Sequence, residues 1–381
     1  MAGWLSEIRR DIHRHPELGY AEERTASAIE SRLDELGVPY TRLAGTGVVG
    51  LIEGAPGEGG KCVGLRADID ALPLQDAKTG DLSSCIPGVM HACGHDAHAA
   101  CLLGAARLLQ QIRGELAGSV KLIFQPAEES DGGALPMIEA GVMQSPDVSA
   151  MFALHCDPTT PVGSVKVTDG FTNAAADMID LVVTGLGGHG AHPDSTVDVV
   201  YVAALVIAEL QSVVSRSIDP LSSAVVTIGA IHAGTARNVI PSRVQMLGTI
   251  RTLDPDVRHI VHRRVREIVE GVCATHGAGV SLVINRGYPA LQNDERATGF
   301  VRRIAVETLG GDNVLKGKPS LGAEDFAYFA ERVPSCMFNL GTRNEARGIV
   351  HPLHSELFDI DESALPVGAG LLATIAAKYL T

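Results

Sequence analysis

The sequence predicts an α/β protein of two domains, the smaller inserted into the larger, and three observations predict it. Its 381 residues are long for a single hydrophobic core. Between Met178 and Arg286, strand and helix patterns follow in the order β-α-β-β-α-β, a ferredoxin-like α+β sandwich of roughly a hundred residues. On either side, amphipathic helices alternate with short apolar strands, so the flanking segments read as one α/β domain. The boundaries expected are residues 1–174 and 289–381 for the larger domain and 175–288 for the insertion.

Taken in order, Ile8, Ile12, Ala26, Ile29, Leu33 and Leu36 recur at helical intervals up to Gly37, and Pro16 divides the stretch into two helices. Val48–Ile52 and Cys62–Arg66 are apolar runs joined by the Gly/Pro-rich EGAPGEGGK, which reads as a hairpin. That loop is a poor phosphate-binding loop, because Ala55 stands at the first glycine and Cys62 at the Ser/Thr. Ala99–Ile112 is an amphipathic helix, Gly118–Gln125 a buried strand, Leu135–Ala140 a short helix and Ala150–His155 a strand. The insertion comprises strand Met178–Thr184, helix Val197–Ser215, strands Ala224–Ile231 and Arg243–Arg251, helix Val257–His276 and strand Gly279–Arg286. Helix Glu295–Leu309, strand Cys336–Leu340 and helix Glu362–Tyr379 complete the chain.

Composition narrows the function. Lysine and arginine number 31 against 45 acidic residues, a formal net charge of −14, and so acidic a chain repels a phosphate backbone; nucleic acid is not an expected partner. Hydrophobic residues reach 45% but aromatics only 4%, so Val, Ile, Leu and Ala carry the packing. Seven cysteines, scattered and odd in number, do not form a disulfide framework. The opening MAGWLSEIRRDIHRHPE has no apolar signal-peptide core, and the longest apolar run, near Val199–Ala208, stops at Glu209, short of a bilayer span. A reduced, cytoplasmic enzyme without a membrane anchor is the expectation.

The densest chemistry lies in residues 90–98, Met-His-Ala-Cys-Gly-His-Asp-Ala-His, where His91, Cys93, His95, Asp96 and His98 all could ligate or orient a metal. A closed zinc finger would need a second close ligand pair, and no CxxC accompanies His91 and His95. An open site assembled from distant segments fits better than a merely solvated loop. Just beyond the strand Gly118–Gln125 stand Glu128 and Glu129. Adjacent carboxylates at a strand end can splay, one to a metal and the other to a water as its base, though a solvated acidic loop is the alternative. His155 ends the next apolar strand and reads either as a core histidine or as a ligand, and His354 competes with His351 in GIVHPLHSELFD. Gly185–Gly190 matches GxGxxG, but Pro193 follows at once and no parallel βαβ unit continues from it.

In order and spacing, RRDIHRHPELGYAE, HACGHDAH, QPAEE, the LH of MFALH, GGHGAHP, GTARNVIP, GAEDFAYF and PLHSELFDID resemble one family over essentially the whole chain. It is the metal-dependent amidohydrolases of the aminoacylase/carboxypeptidase superfamily, in the branch of hippurate hydrolase, indole-acetyl-amino-acid hydrolases and N-acetyl-diaminopimelate deacetylase. The resemblance implies a catalytic domain with a mixed sheet flanked by helices and an inserted lid that also dimerises. It implies Cys93, His95, Glu129, His155 and His354 as ligands of two divalent metal ions (Zn, Mn, Co or Ni), with Glu128 as general base. His189 would donate to the oxyanion of a neighbouring subunit in a homodimer, and Asn238 and Arg251 would hold the substrate carboxylate. Arg66-Ala67-Asp68-Ile69-Asp70 sits where other branches carry His-x-Asp; arginine cannot ligate, which leaves Asp68 at most an orienting group. Asp194 stands where histidine is common. The implied reaction is hydrolysis of a small-molecule N-acyl amino acid. A dipeptidase or exopeptidase on the same ligands is the alternative enzyme, and a non-catalytic metal-binding protein the alternative class.

Overall fold

The computed structural model describes residues 1–55 and 60–381, so the middle of EGAPGEGGK, and the loose phosphate-loop reading with it, lies outside the described residues. The chain forms two compact units. One comprises Met1–Gly170, Gln292–Lys318 and Tyr328–Thr381; the other comprises Phe171–Leu291 and Pro319–Ala327.

The first unit opens with α1 (Ala2–Arg14), α2 (Glu23–Leu36), β1 (Tyr40–Leu43), β2 (Gly47–Glu53), β3 (Lys61–Asp68) and α3 (His95–Gln111). There follow β4 (Gly118–Gln125), α4 (Ala134–Glu139), β5 (Val148–Pro161) and β6 (Val165–Val167). After β7 (Gly170–Asn173) the second unit holds β8 (Ala175–Thr184), β9 (Gly188–His189), α5 (Val199–Arg216), β10 (Ala224–Ala233), β11 (Val239–Ile240), β12 (Arg243–Thr252), α6 (Pro255–Thr275) and β13 (Gly279–Arg286). From β14 (Leu291–Asn293) the chain continues through α7 (Glu295–Leu309), β15 (Val314–Lys316), α8 (Ala327–Ala330), β16 (Ser335–Arg343) and α9 (Ala364–Tyr379).

Eight strands of the first unit form one mixed sheet in the order β1-β2-β4-β3-β5-β16-β6-β15. Its centre, β4-β3-β5-β16, is parallel throughout, and β2 and β6 flank it antiparallel. These central strands are nearly continuous runs of Val, Ile, Leu, Phe and Ala, as strands covered on both faces require. Helix α3 packs on β3 and against α1 and α9, which leaves almost all its residues buried. The break between α1 and α2 falls where proline demands it: His15 precedes Pro16 and leaves helical geometry at ψ 57°.

Two expectations fail here. The apolar runs around EGAPGEGGK do not form a hairpin, because β4 lies between β2 and β3 and pairs with both. A Gly/Pro loop between two strands is compatible with a longer connection, and the parallel β3–β4 pair takes the central place. The strand bearing His155 does not end there either. It runs on to Pro161 because β16 pairs with it as far as Arg343, so His155 lies in mid-strand.

In the second unit the sheet order β10-β12-β8-β13, all antiparallel, with α5 and α6 packed against it, is the ferredoxin-like arrangement. Alternate residues Ile179, Leu181 and Val183 of β8 meet Val202, Val206 and Val213 of α5 and Val261, Val265 and Val269 of α6 in one core. Both helices start on an aspartate whose side chain accepts from the first free amides, Asp198 and Asp254, the latter followed by Pro255. Helix α5 continues through Glu209 to Arg216 and is, by length and composition alone, apolar enough to cross a membrane; a third of it is buried, along the stripe that packs on the sheet.

At the start of β8, the buried Asp177 accepts from both arms of Arg258 at 2.5 and 3.0 Å, from the Gly287 amide at 3.2 Å, and pairs with His262 at 2.5 Å. One carboxylate thereby clips α6 to the first and last strands of the unit. Burial raises its pKa, but His262 and Arg258 outweigh that and bring it to about 2. A carboxylate depressed on folding stabilises fully above about pH 4 and loses that contribution as pH falls through the folded value. Asp177→Asn should cost about 2–4 kcal/mol by stranding Arg258. Thermal melts of the variant should also lack the acid-side destabilisation, worth about 2 kcal/mol, that the parent shows between pH 4 and 2. Equal melting points and equal acid limbs would remove this clip from the account.

Candidate metal centre

Four parallel strands end at one edge of the sheet in the first unit, where open α/β sheets place their sites. Cys93 and His95 come from the turn into α3. Gly94 between them has φ 88°, and a Cβ there would lie 2.9 Å from the Cys156 Cβ. Only glycine lets the turn press so close to β5. Glu128 and Glu129 follow β4, His155 lies on β5, and His354 sits in the C-terminal loop at φ 60°, its amide donating to the Ala92 carbonyl at 2.8 Å.

The structure brings these six residues together. Cys93 Sγ lies 3.4 Å from His155 Nε2, His95 Nε2 is 3.8 Å from Glu129 Oε1, and His354 Nε2 is 3.2 Å from the same oxygen. Three overlapping sets, Cys93–His95–His155, Cys93–Glu129–His354 and His95–Glu128–Glu129, each place their donor atoms within 4.8 Å of one another. Sharing of residues between the sets suits two neighbouring cations better than one. His351, the competitor of His354, joins no such set among the described residues.

The donors fit a divalent metal on structural grounds. His95 Nε2 and Glu129 Oε1 are buried atoms with no aligned hydrogen-bond partner among the described residues, an arrangement that costs free energy unless a cation fills it. Both ligand-type histidines are oriented from behind. His95 Nδ1 donates to the Asp70 carbonyl at 2.9 Å and His155 Nδ1 to the Cys156 carbonyl at 2.8 Å, which leaves each Nε2 lone pair facing the cluster. The set of thiol, imidazoles and carboxylate is that of borderline metals.

Charge is finely balanced. Burial lowers the His95 pKa, but Asp68, then Cys93 and Asp70, outweigh it and hold it well above the usual value. Glu129 is raised by burial and lowered further by His354 and His95, for a net fall; His354 is correspondingly raised by Glu129. Burial and then Glu129 push the Cys93 thiol well up, so a metal binding there must displace its proton.

Two other residues of the His-rich motif, His98 and Asp96, are engaged by partners within the protein. His98 Nδ1 is 2.5 Å from Asp68 Oδ1, while its Nε2 accepts from the Cys156 amide at 2.8 Å. Burial lowers its pKa to about 4, so the ring is neutral and both nitrogens are spent. Asp96 points away from the cluster to Arg9 and His13, each at 2.8 Å. His91 is buried, its pKa lowered to about 3 chiefly by burial; its ring centroid lies 6.4 Å from that of His13, and neither of its nitrogens has a hydrogen-bond partner among the described residues. Asp68 has the orienting place expected of it, between Arg66 at 2.8 Å and His98, with its second oxygen 3.5 Å from His95 Nε2.

Sequence reasoning missed the role of Asp70. Its carbonyl and Oδ1, the latter at 3.2 Å, both face His95 Nδ1, and its Oδ2 accepts the Glu129 amide at 2.9 Å. One residue thus sets a histidine and a carboxylate of the cluster. The signal was present in Asp68-x-Asp70, two carboxylates on one side of a strand end, but Arg66 drew attention to the wrong member.

His189 and Asn238 meet within the second unit: β9 pairs with β11 through His189 and Val239, and the Gly190 amide donates to the Asn238 carbonyl at 2.9 Å. Arg251 does not join them. It pairs with Ala176 at the start of β8, whereas His189 follows the end of that strand. Arg251 is eight residue steps along β12 from Arg243, which pairs with Thr184, about 27 Å at the rise of a strand. Arg251 thus lies at the end of the β8–β12 pair away from Thr184, the residue after which the chain leads to His189.

Asp70→Asn should lower divalent-metal affinity about 10–100-fold, the usual cost of losing a group that orients ligands. Competition with a chromophoric chelator measures it, and unchanged affinity would reduce Asp70 to a turn residue.

The pattern of Peptidase family M20/M25/M40 matches residues 64–378. The chain is 40% identical over 381 residues to Thermostable carboxypeptidase 1 of Saccharolobus solfataricus, covering 99% of this chain and 95% of that one. It is 39% identical over 381 residues to the N-acetylcysteine deacetylase of Bacillus subtilis (99% and 97% covered) and 40% identical over 383 positions to IAA-amino acid hydrolase ILR1-like 2 of Arabidopsis thaliana (99% and 85%). The crystal structure of the YxeP protein of Bacillus subtilis, a dinuclear metal binding peptidase from the M20 family, superposes with a TM-score of 0.87 at 35% identity, over 100% of this chain and 98% of that one. Similarity of this extent, on top of a fold and a ligand cluster of the same kind, makes the chain a member of peptidase family M20/M25/M40 and a hydrolase of amide bonds.

Proposed function

We propose that the chain hydrolyses N-acyl amino acids, with Cys93, His95, Glu129, His155 and His354 holding two divalent metal ions and Glu128 serving as general base. The observation that carries this reading is the buried donor cluster, in which His95 Nε2 and Glu129 Oε1 have no aligned hydrogen-bond partner among the described residues and Glu128 joins them in one set of donor atoms. Metal bound there would supply Lewis acidity, polarising the acyl carbonyl and acidifying water. Glu128 takes the proton of the attacking water and returns it to the leaving amine, releasing a carboxylate and a free amino acid. His189 donates a hydrogen bond to the tetrahedral oxyanion. Arg251 offers a planar fork to the substrate carboxylate.

The relatives named as an N-acetylcysteine deacetylase and an IAA-amino acid hydrolase support the N-acyl amino acid class, while the relative named as a carboxypeptidase favours a peptide substrate as the second reading. Paired N-acetyl, N-benzoyl and indole-acetyl amino acids against dipeptides, each with several divalent metals, separate the two. Faster turnover of dipeptides would transfer the proposal to a dipeptidase. Six of the seven free cysteines are buried, in keeping with a reducing, cytoplasmic setting.

Glu128→Gln should keep its metal and lose about 10²–10⁴ in kcat, the worth of a general acid–base, whereas Glu129→Gln should lose both metal and activity. Metal analysis beside kinetics decides, and the opposite pattern would exchange the two roles.

The separation of Arg251 from His189 and Asn238 supports a homodimer through the second unit, in which each site takes Arg251 from one chain and His189 and Asn238 from the other. Inactive His189→Ala subunits mixed with inactive Glu128→Gln subunits should then recover about a quarter of wild-type activity, since half of randomly exchanged C2 dimers are hybrids with one intact site. No recovery after verified exchange would confine His189 to its own chain.

A further inference from the structure

The segment HPELGYAE, residues 15–22, takes no part in the chemistry above, yet it forms the back wall of the loop that carries Glu128 and Glu129. Gly19 lies so close to that loop that a Cβ would stand 3.0 Å from Ala127 Cα and 2.4 Å from Ser130 Oγ. The Tyr20 hydroxyl donates to the Gly132 carbonyl at 2.9 Å. Glu22, fully buried, accepts the Ala127 amide on Oε1 at 2.9 Å and the Thr46 hydroxyl on Oε2 at 2.5 Å.

Ala127 has φ 56°, a left-handed conformation that an L residue with a Cβ avoids. It turns the chain directly before Glu128. On the other side, the Glu129 amide is held by Asp70. The pair Glu128–Glu129 is thus bracketed by two buried carboxylates, each gripping a backbone amide, one at 127 and one at 129.

We infer that Glu22 is a positioning residue for Glu128: by holding the Ala127 peptide in its left-handed turn it aims the base, while Asp70 serves the metal side. The inference rests on Glu128 being the base, and the division of labour makes it separable from the metal ligands. Loss of Glu22 acts on proton transfer and spares metal binding; loss of Asp70 does the reverse.

The test compares Glu22→Met, Glu22→Gln and the double variant Glu22→Met/Ala127→Gly, assayed for kcat and KM on the best N-acyl amino acid, for metal per chain, and by crystal structure. Glu22→Met should keep metal and KM, lose roughly five- to thirtyfold in kcat, the population penalty of a left-handed L residue, and show Ala127 out of its positive-φ turn. Glu22→Gln, whose amide oxygen still accepts the Ala127 N–H, should recover most of kcat. The added glycine, at ease with positive φ, should restore activity to Glu22→Met. Should Glu22→Met not fold, Glu22→Ser, with room for a water, is read the same way. Wild-type kcat with Ala127 unmoved in the acceptor-free variant, loss of metal along with activity, or no rescue by glycine would each overturn the inference. An active Glu128→Gln would instead sink the base assignment, whatever Glu22 does.

Discussion

Asp70 sits just beyond the end of strand β3, and two of the donors that meet at the cluster, His95 and Glu129, lean on it. Its carbonyl and one carboxylate oxygen face His95, and its other oxygen holds the Glu129 backbone. Two residues earlier, Asp68 holds His98 in the same manner. A strand sends residues i and i+2 to one side about 7 Å apart, and a helix stacks residues i and i+3 about 5–6 Å apart. Asp68 at the end of the strand and Asp70 two residues on therefore match His98 and His95 of the helix, whose rings lie 5.3 Å apart. The motif HDAH and the motif DID are two halves of one lock between α3 and β3, and the pairing fixes which histidine faces the cluster and which is turned inward.

The lock also distributes charge. His98, with both nitrogens used, is a neutral spacer that carries the Cys156 amide and so steadies the strand beside His155. His95 keeps Nε2 toward Glu129 and Cys93, in a field of carboxylates that would be repulsive without positive charge among them. Burial and the neighbouring Glu129 push the Cys93 thiol well up, and His95 Nε2 has no aligned hydrogen-bond partner among the described residues. The folded chain is thus complementary to a bound metal, and anything that binds only the folded state stabilises it by mass action. Stability and metal loading are expected to move together for the same reason that the ligands cluster.

How far this was legible in the sequence depends on the kind of signal. Period-two and period-3.6 patterns are local, so the strand Gly279–Arg286, the helix Glu295–Leu309 and the strand Gly118–Gln125 stand in the structure as the pattern reads, and the ferredoxin-like order follows from them. Partner choice is not local. Nothing in Val48–Ile52 or Cys62–Arg66 says that β4, more than fifty residues on, will come between them. The six residues of the cluster were legible through motif order, but their roles as a set became geometric only once His95, Glu129 and His354 met around one oxygen. Asp70 escaped because a backbone amide was half of what it holds, and sequence motifs record side chains alone. Arg251 was grouped with Asn238 by the family resemblance, and the register of β12 on β8, which no motif records, puts it beside Ala176.

The His95 helix and the His354 loop, 259 residues apart in sequence numbering, are held to each other on the side of α3 away from the cluster. Successive helical residues point about 100° apart, so Asp96 leaves the cluster that His95 faces and meets Arg9 at 2.8 Å. The same guanidinium, fully buried, reaches Asp359 at 2.7 Å, and Lys78 holds the carbonyl of the preceding residue, Phe358, at 2.6 Å. Arginine suits this post because its planar fork can serve two carboxylates at once and stays charged when buried. A buried ion pair is not by itself a source of stability, since desolvation offsets much of the attraction. What it does impose is one geometry, because a shift of either the helix or the loop would draw Asp96 or Asp359 away from the guanidinium that holds both. Four sequence-distant ligand segments can share a cluster of atoms within 4.8 Å only if the backbone behind each is fixed, and the polar network of α1 fixes two of them from behind.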